Sequence, residues 1–217
     1  MVRNELLEFL LVLPHGAMHE SLLSTEVDVE LLNAALLTLG VQTGKDADWA
    51  PKNPPPTEEE RAAGVRPYDV VLPEGDTFYL YLGWQVEGEA YLYRVEDLLR
   101  NLRTQRSMRR HPWVYLGSKM VETRDGEVFG AVAAGNLVNI TFFKGGSTSL
   151  MTAGLLDCAD QSIWLANAWL LPEMDSEVRL FFCREPMSQA APGLIGMLPE
   201  VGLPGAELPG DPGGSGR

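Results

Sequence analysis

Two histidines and a carboxylate fall within six residues near the start of the chain, in Pro14-His15-Gly16-Ala17-Met18-His19-Glu20-Ser21-Leu22-Leu23. A helical turn would bring His15 and His19 onto one face, where Glu20 or the remote His111 could complete a site for a divalent transition metal and, by extension, hydrolysis. The word His19-Glu20-Ser21-Leu22-Leu23 departs from the zinc-protease pattern, because Leu23 stands where the second histidine is required. Ser21 lacks the flanking glycines of a nucleophile elbow. If the stretch is extended instead, His19 and Ser21 share a face opposite Glu20. The pattern then favours a structural duty, a histidine-acid pair locking a loop onto a sheet, over metal binding or catalysis.

A second concentration is basic. Arg100, Arg103, Arg106, Arg109 and Arg110 crowd a chain whose formal charge is −13. Steps of three residues drift backwards around a helix, so Arg109 ends opposite Arg100 and no single basic face forms. The expected picture is a solvated loop with some arginines paired to acids. The sharper alternative is an anion or acidic partner held by Arg103, Arg106, Arg109 and Arg110.

The net charge argues against nucleic acid and anionic membrane surfaces, both of which demand a basic excess. Cys158 and Cys183 lack the paired spacing of zinc or iron-sulfur ligands, so no iron-sulfur cluster is expected. They read as structural thiols, with a single bridge open to an exported protein. Lys144-Gly145-Gly146-Ser147-Thr148 places its lysine before the glycines, the reverse of a phosphate loop. No run is long enough to span a membrane. As written the chain reads as cytoplasmic, or exported if its true start lies upstream of Met1.

The elements that must position these groups follow from periodicity. Residues 6–13 are apolar on both faces and predict a central strand leading to His15. Asp28 caps a helix with Val29, Leu32, Leu36 and Leu39 inward, and Gly40 stops it. Residues 42–73 read as an insertion loop, in which Thr57-Glu58-Glu59-Glu60 can open a short surface helix. Residues 77–84 and 90–95 form a hairpin about Glu87-Gly88, with Phe78, Leu80, Leu82 and Trp84 on one face. Residues 96–102 suggest a short helix, and Trp113–Leu116 a strand.

The pairs Asp125-Gly126 and Gly135-Asn136 suggest hairpin turns joining 120–123, 127–132 and 137–143 into a meander whose Asn139 and Thr141 face water. Residues 163–171 and 177–184 are expected to pair antiparallel. The segment 185–217, with eight glycines and six prolines in 33 residues, reads as a disordered tail. The fold class is therefore α+β: one domain over residues 1–184, a mainly antiparallel sheet with two or three short helices, and a tail.

In order and spacing, a set of words over roughly residues 6–182 resembles the YdjY-like domain family of bacterial proteins. They are Gly16-Ala17-Met18-His19-Glu20-Ser21-Leu22-Leu23, Ala34-Ala35-Leu36-Leu37-Thr38-Leu39-Gly40, Arg94-Val95-Glu96-Asp97-Leu98-Leu99, Trp113-Val114-Tyr115-Leu116-Gly117-Ser118, Gly135-Asn136-Leu137, and Asp160 through Asn167 into Leu171-Pro172. The resemblance implies a largely uncharacterised domain, some of whose members look exported or occur with iron-sulfur modules. The functional expectation is a non-enzymatic binding or interaction module for a protein or small-molecule partner, with the metal site on His15, His19 and Glu20 as its alternative.

Overall fold

The computed structural model describes residues 5–124, 126–143 and 148–202. Its first strand, β1 (Phe9–Val12), is buried along its whole length, as an element apolar on both faces must be. The chain turns through a 3-10 turn (Met18–Glu20) and returns as β2 (Ser21–Ser24), parallel to β1 with Phe9 opposite Ser21. Residues 13–20 are the entire crossover, although parallel strands usually need about a dozen residues or more between them.

Helix α1 (Val29–Thr38) begins where Asp28 Oδ1 accepts the Leu31 N–H at 2.9 Å, and ends where Gly40 turns at φ +75°. Val29 and Leu36 are buried and Leu32 packs on the core, but Leu39, expected to face inward, is half exposed at 51%. It occupies the cap position, after the helix face has rotated away.

The expected insertion loop is folded. Strand β3 (Asp48–Pro51), helix α2 (Glu58–Ala62) and strand β4 (Tyr68–Val71) make an antiparallel pair with Trp49 opposite Val70. The foreseen helix start is a capping box: the Glu60 N–H donates to Thr57 Oγ1 and the Thr57 N–H to Glu60 Oε2. Trp49 and Val70 face the core, whereas Asp48, Ala50, Pro51, Asp69 and Val71 are exposed. Two inward side chains leave almost no alternation to read.

The hairpin of β5 (Thr77–Val86) and β6 (Glu89–Arg94) turns at Glu87-Gly88, both at positive φ, and buries Phe78, Leu80, Leu82 and Trp84 as expected. The predicted helix over 96–102 is a 3-10 turn (Val95–Leu98) running into β7 (Leu99–Asn101). Strand β8 (Trp113–Tyr115) follows, and β9 (Met120–Thr123) pairs with β10 (Gly126–Phe129). Asp125, the first residue of that turn, lies outside the described residues.

The rest of the meander is corrected. Residues 130–134 form helix α3 (Gly130–Ala134), which Gly135 ends in the left-handed conformation. A Gly-Asn pair satisfies a helix stop as readily as a tight hairpin, and alanines at 131, 133 and 134 favour the helix. Strand β11 (Asn136–Asn139) therefore joins β1 instead of β10, and parallel β12 (Met151–Thr152) lies on its other side. Asn139 and Thr141 are buried rather than wet, with Asn139 Oδ1 accepting the Ser149 hydroxyl.

Strand β13 (Trp164–Ala166) and strand β14 (Arg179–Cys183) do not pair with each other; β13 joins β7, and β14 joins β5. Helix α4 (Pro192–Ile195) lies in the segment expected to be disordered, where Leu198 is buried and Val201 packs on the core. The remainder, 203–217, and residues 144–147 of the discounted phosphate-loop word lie outside the described residues. The main sheet runs β14-β5-β8-β12-β11-β1-β2 with β6 also on β5, and one cluster of buried side chains spans it. The fold is α+β with mostly antiparallel strands. Among the described residues no helix is long and apolar enough to cross a membrane.

The short crossover depends on two glycines in backbone contact. A Cβ on Gly16 would lie 2.4 Å from the Gly135 carbonyl oxygen, and one on Gly135, at φ +70°, would lie 2.7 Å from Gly16 Cα. Gly40 has a similar φ but open space before it. Gly135→Ala is therefore expected to cost about 3 kcal/mol or more, strain plus clash, and Gly40→Ala only about 1 kcal/mol. Denaturant unfolding of the two variants gives the comparison.

Candidate functional site

The histidine-acid stretch is the β1–β2 crossover itself. The exposed His15 ring donates from Nε2 to the Val132 carbonyl at 2.8 Å, and the Ala17 N–H donates to Asn136 Oδ1 at 3.1 Å. Both bonds tie the loop down, one to the middle of α3 and the other to the start of β11. His19 Nε2 lies 3.6 Å from Glu20 Oε1, the histidine largely solvated. The Ser21 hydroxyl donates to the Leu23 carbonyl. Among the described residues, no three His, Cys, Asp or Glu side chains gather where they could hold a metal ion. The structure joins His19 to Glu20 and does not assemble them with His15 and His111.

His111 belongs to a different cluster, centred on Glu96, which is fully buried. The Glu96 carboxylate accepts Arg94 Nε at 3.0 Å and a second Arg94 N–H, together with the His111 backbone N–H and the Trp113 indole N–H, each at 3.3 Å. Arg94 also donates to the His111 carbonyl at 2.8 Å and lies over the Tyr79 and Tyr81 rings, 5.1 and 5.5 Å from their centroids. A bidentate, charge-assisted pair with further donors is what allows a carboxylate to stay in the interior.

His111 packs against Trp113 and donates from Nδ1 to the Arg109 carbonyl at 3.0 Å. Among the described residues its Nε2 is buried without a partner, so a second proton there meets no acceptor among them. Burial accordingly pushes the His111 pKa below its ordinary 6.5, outweighing the Arg109 carbonyl and Glu96, which favour the charged form.

This cluster frames the arginine segment. At its start, Asn101 Oδ1 accepts the Arg103 and Thr104 N–H groups; at its end, His111 and Trp113 bind Glu96. Arg110 makes a two-point bond to Asp97 at 2.9 and 2.6 Å. Arg103 Nη1 is 2.7 Å from Asp160, which also pairs with Arg66 beside β4, and the two guanidinium groups hold the Asp160 carboxyl below its usual range despite partial burial. Arg100 donates to Gln105. Arg106 and Arg109, both exposed, make no side-chain ion pair or hydrogen bond among the described residues. Both line a cleft of about 520 Å³ with Asn101, Thr104, Ser107, Met108, Asp157 and Trp164. The four candidate anion-binding arginines thus divide into two that are neutralised and two that share a cleft.

Sequence reasoning missed Arg94, Glu96, Asp97 and Asp160. The first three fall within four residues at a hairpin end, and such charges ordinarily face solvent. The one available signal was Glu96 between Val95 and the apolar run Leu98-Leu99. Cys158 is buried with its thiol pKa pushed up, Cys183 is half-buried, and both are free thiols.

Two measurements test the cluster. Because the folded pKa of His111 is depressed, the unfolded chain binds more protons below about pH 6.5, and stability must fall as pH drops from there. His111→Phe should remove that part of the slope in thermal melts across this range, at a pH-independent cost of roughly 1 kcal/mol for the lost Arg109 bond. Separately, Glu96→Gln should destabilise by about 3 kcal/mol by stranding Arg94, whereas adding Arg94→Met to Glu96→Gln, whose amide oxygen can still accept the His111 and Trp113 N–H groups, should cost clearly less than Glu96→Gln alone. Denaturant unfolding measures both.

No protein-family model, no curated protein and no solved structure matches the chain.

Proposed function

We propose that the chain is a non-enzymatic binding module that takes a small anionic group, a phosphate or carboxylate, in the cleft between Arg106 and Arg109. One observation carries this reading: these two guanidinium groups line a single cleft and make no ion pair among the described residues, while Arg103 and Arg110 beside them are neutralised. Asn101, Thr104 and Ser107 supply further polar groups around the same space, which the Asp157 carboxylate also lines. The surrounding acidity of a −13 chain disfavours a long polyanion, so the ligand is a compact charge.

The binding role is further supported by how the nucleophiles and bases are used. Ser21 and His15 bond backbone carbonyls, Cys158 is buried, and the His111 ring is packed on Trp113. The metal alternative rests on the His19–Glu20 pair, with one His15 nitrogen already given to Val132. The resemblance to YdjY-like domains is compatible with a binding role and names no ligand.

Titration calorimetry with inorganic phosphate and with pyrophosphate tests the reading. Arg106→Ala with Arg109→Ala should weaken association about tenfold or more, since each lost charged hydrogen bond is worth roughly 1.5–3 kcal/mol. Arg103→Ala, whose partner is Asp160, should change it far less, and added NaCl should weaken the wild type. Unchanged affinity in the double variant overturns the assignment.

A further inference from the structure

The cleft that holds Arg106 and Arg109 has a second wall, which carries the opposite charge. Asp157 stands in the 3-10 turn Leu156–Ala159, exposed, lining the cleft, and without an ion pair or side-chain hydrogen bond among the described residues. That turn is fixed in place. Cys158 within it is buried, the Cys158 carbonyl accepts the Phe142 N–H at 2.8 Å, and Asp160, which caps the turn, is 2.7 Å from Arg103 Nη1. The arginine wall is equally constrained: the Asn101 N–H donates to the Arg106 carbonyl and the Met108 N–H to the Leu99 carbonyl, each at 2.8 Å. Met108 and Trp164, the latter paired in register with Asn101, line the cleft from its buried side. The bond between Arg103 and Asp160 therefore joins the two walls before any ligand arrives, and a ligand need not order them.

Two guanidinium groups and one carboxylate around about 520 Å³ define a ligand by its charges. A simple anion satisfies Arg106 and Arg109 but is repelled by Asp157, and a simple cation meets the reverse conflict. The complement of this wall pattern is one compact molecule with two anionic groups and one cationic group. We propose that the cleft binds an amino acid of the aspartate or glutamate type, its two carboxylates held by Arg106 and Arg109 and its ammonium by Asp157. The proposal rests on the anion reading of the two arginines and adds the group that selects among anions. An ammonium has three N–H donors, of which Asp157 accepts one or two. The Thr104 and Ser107 hydroxyls line the same cleft, make no hydrogen bond among the described residues, and are open to accept another. Against a dicarboxylate that lacks the ammonium, Asp157 acts as the repulsive element that specificity requires.

Titration calorimetry of the full chain with two series of ligands tests this: L-aspartate against succinate and L-asparagine, and L-glutamate against glutarate and L-glutamine. The tighter of the two acidic amino acids should bind at least tenfold more strongly than its diacid, which lacks the ammonium, and than its amide, which lacks the second carboxylate. Asp157→Asn, at an exposed position where the melting temperature should not move, should weaken the amino acid about tenfold while strengthening the diacid and inorganic phosphate. Changes of opposite sign in one variant cannot come from lost folding. Equal affinity for the amino acid and its diacid or amide, no binding of either amino acid at millimolar concentration, or an Asp157→Asn chain with all affinities unchanged overturns the proposal. In each of those cases the anion reading still stands if Arg106→Ala with Arg109→Ala loses phosphate. Phosphate binding undiminished in that double variant overturns both.

Discussion

The buried carboxylate of Glu96 is the constraint on which the candidate site depends. A charge in the interior persists only when its oxygens are saturated with donors, and these come from the end of β6, the end of the arginine segment and β8. Satisfying Glu96 therefore brings three separate pieces of chain to one point. Arg94 extends the arrangement outward over Tyr79 and Tyr81, while Asp97, one residue along, engages Arg110 on the surface. The arginine segment is anchored at both ends, and Arg106 and Arg109 stand between the anchors. What reads in sequence as a solvated basic loop is a framed rim of a cleft.

The N-terminal histidines illustrate a different economy. A parallel pair of strands joined by residues 13–20 is feasible only if the turn lies flat on its neighbour, and Gly16 on Gly135 allows backbone to touch backbone. His15 and Ala17 then fasten the turn to Val132 and Asn136. The concentration of polar groups in this stretch follows from the need to satisfy a loop with no strand neighbour of its own. The same need explains Gln85, whose backbone groups beyond the reach of β14 are met by the C-terminal Leu-Pro segment.

Local signals were legible where a single residue type suffices to make the structure. Asp28 and Gly40 bound α1, Glu87-Gly88 closes the β5–β6 hairpin, and Thr57 with Glu60 opens α2. The burial of β1 followed from its two apolar faces, and internal pairing of some arginines followed from the acidic excess. The β3–β4 pair was hidden because only Trp49 and Val70 face the core. Gly135-Asn136 misled because positive φ serves a hairpin and a helix stop alike, and only the residues packed around α3 distinguish them. The packed part of the C-terminal segment was obscured by its glycines and prolines, although one leucine in a notch and two backbone bonds are enough to hold it.

The chain by itself determined the α+β class, the capped helix, the tyrosine-rich hairpin and the two polar concentrations worth pursuing, because each rests on backbone preferences or periodicity within a few residues. Tertiary structure alone decided which strand lies beside which: β14 on β5, β13 on β7, β11 on β1. It likewise decided that His111 belongs with Glu96 rather than with His15 and His19, and which arginines pair with carboxylates among the described residues. Those outcomes depend on partners distant in sequence, selected by the shape of the core and the demand that every buried charge and backbone group be satisfied.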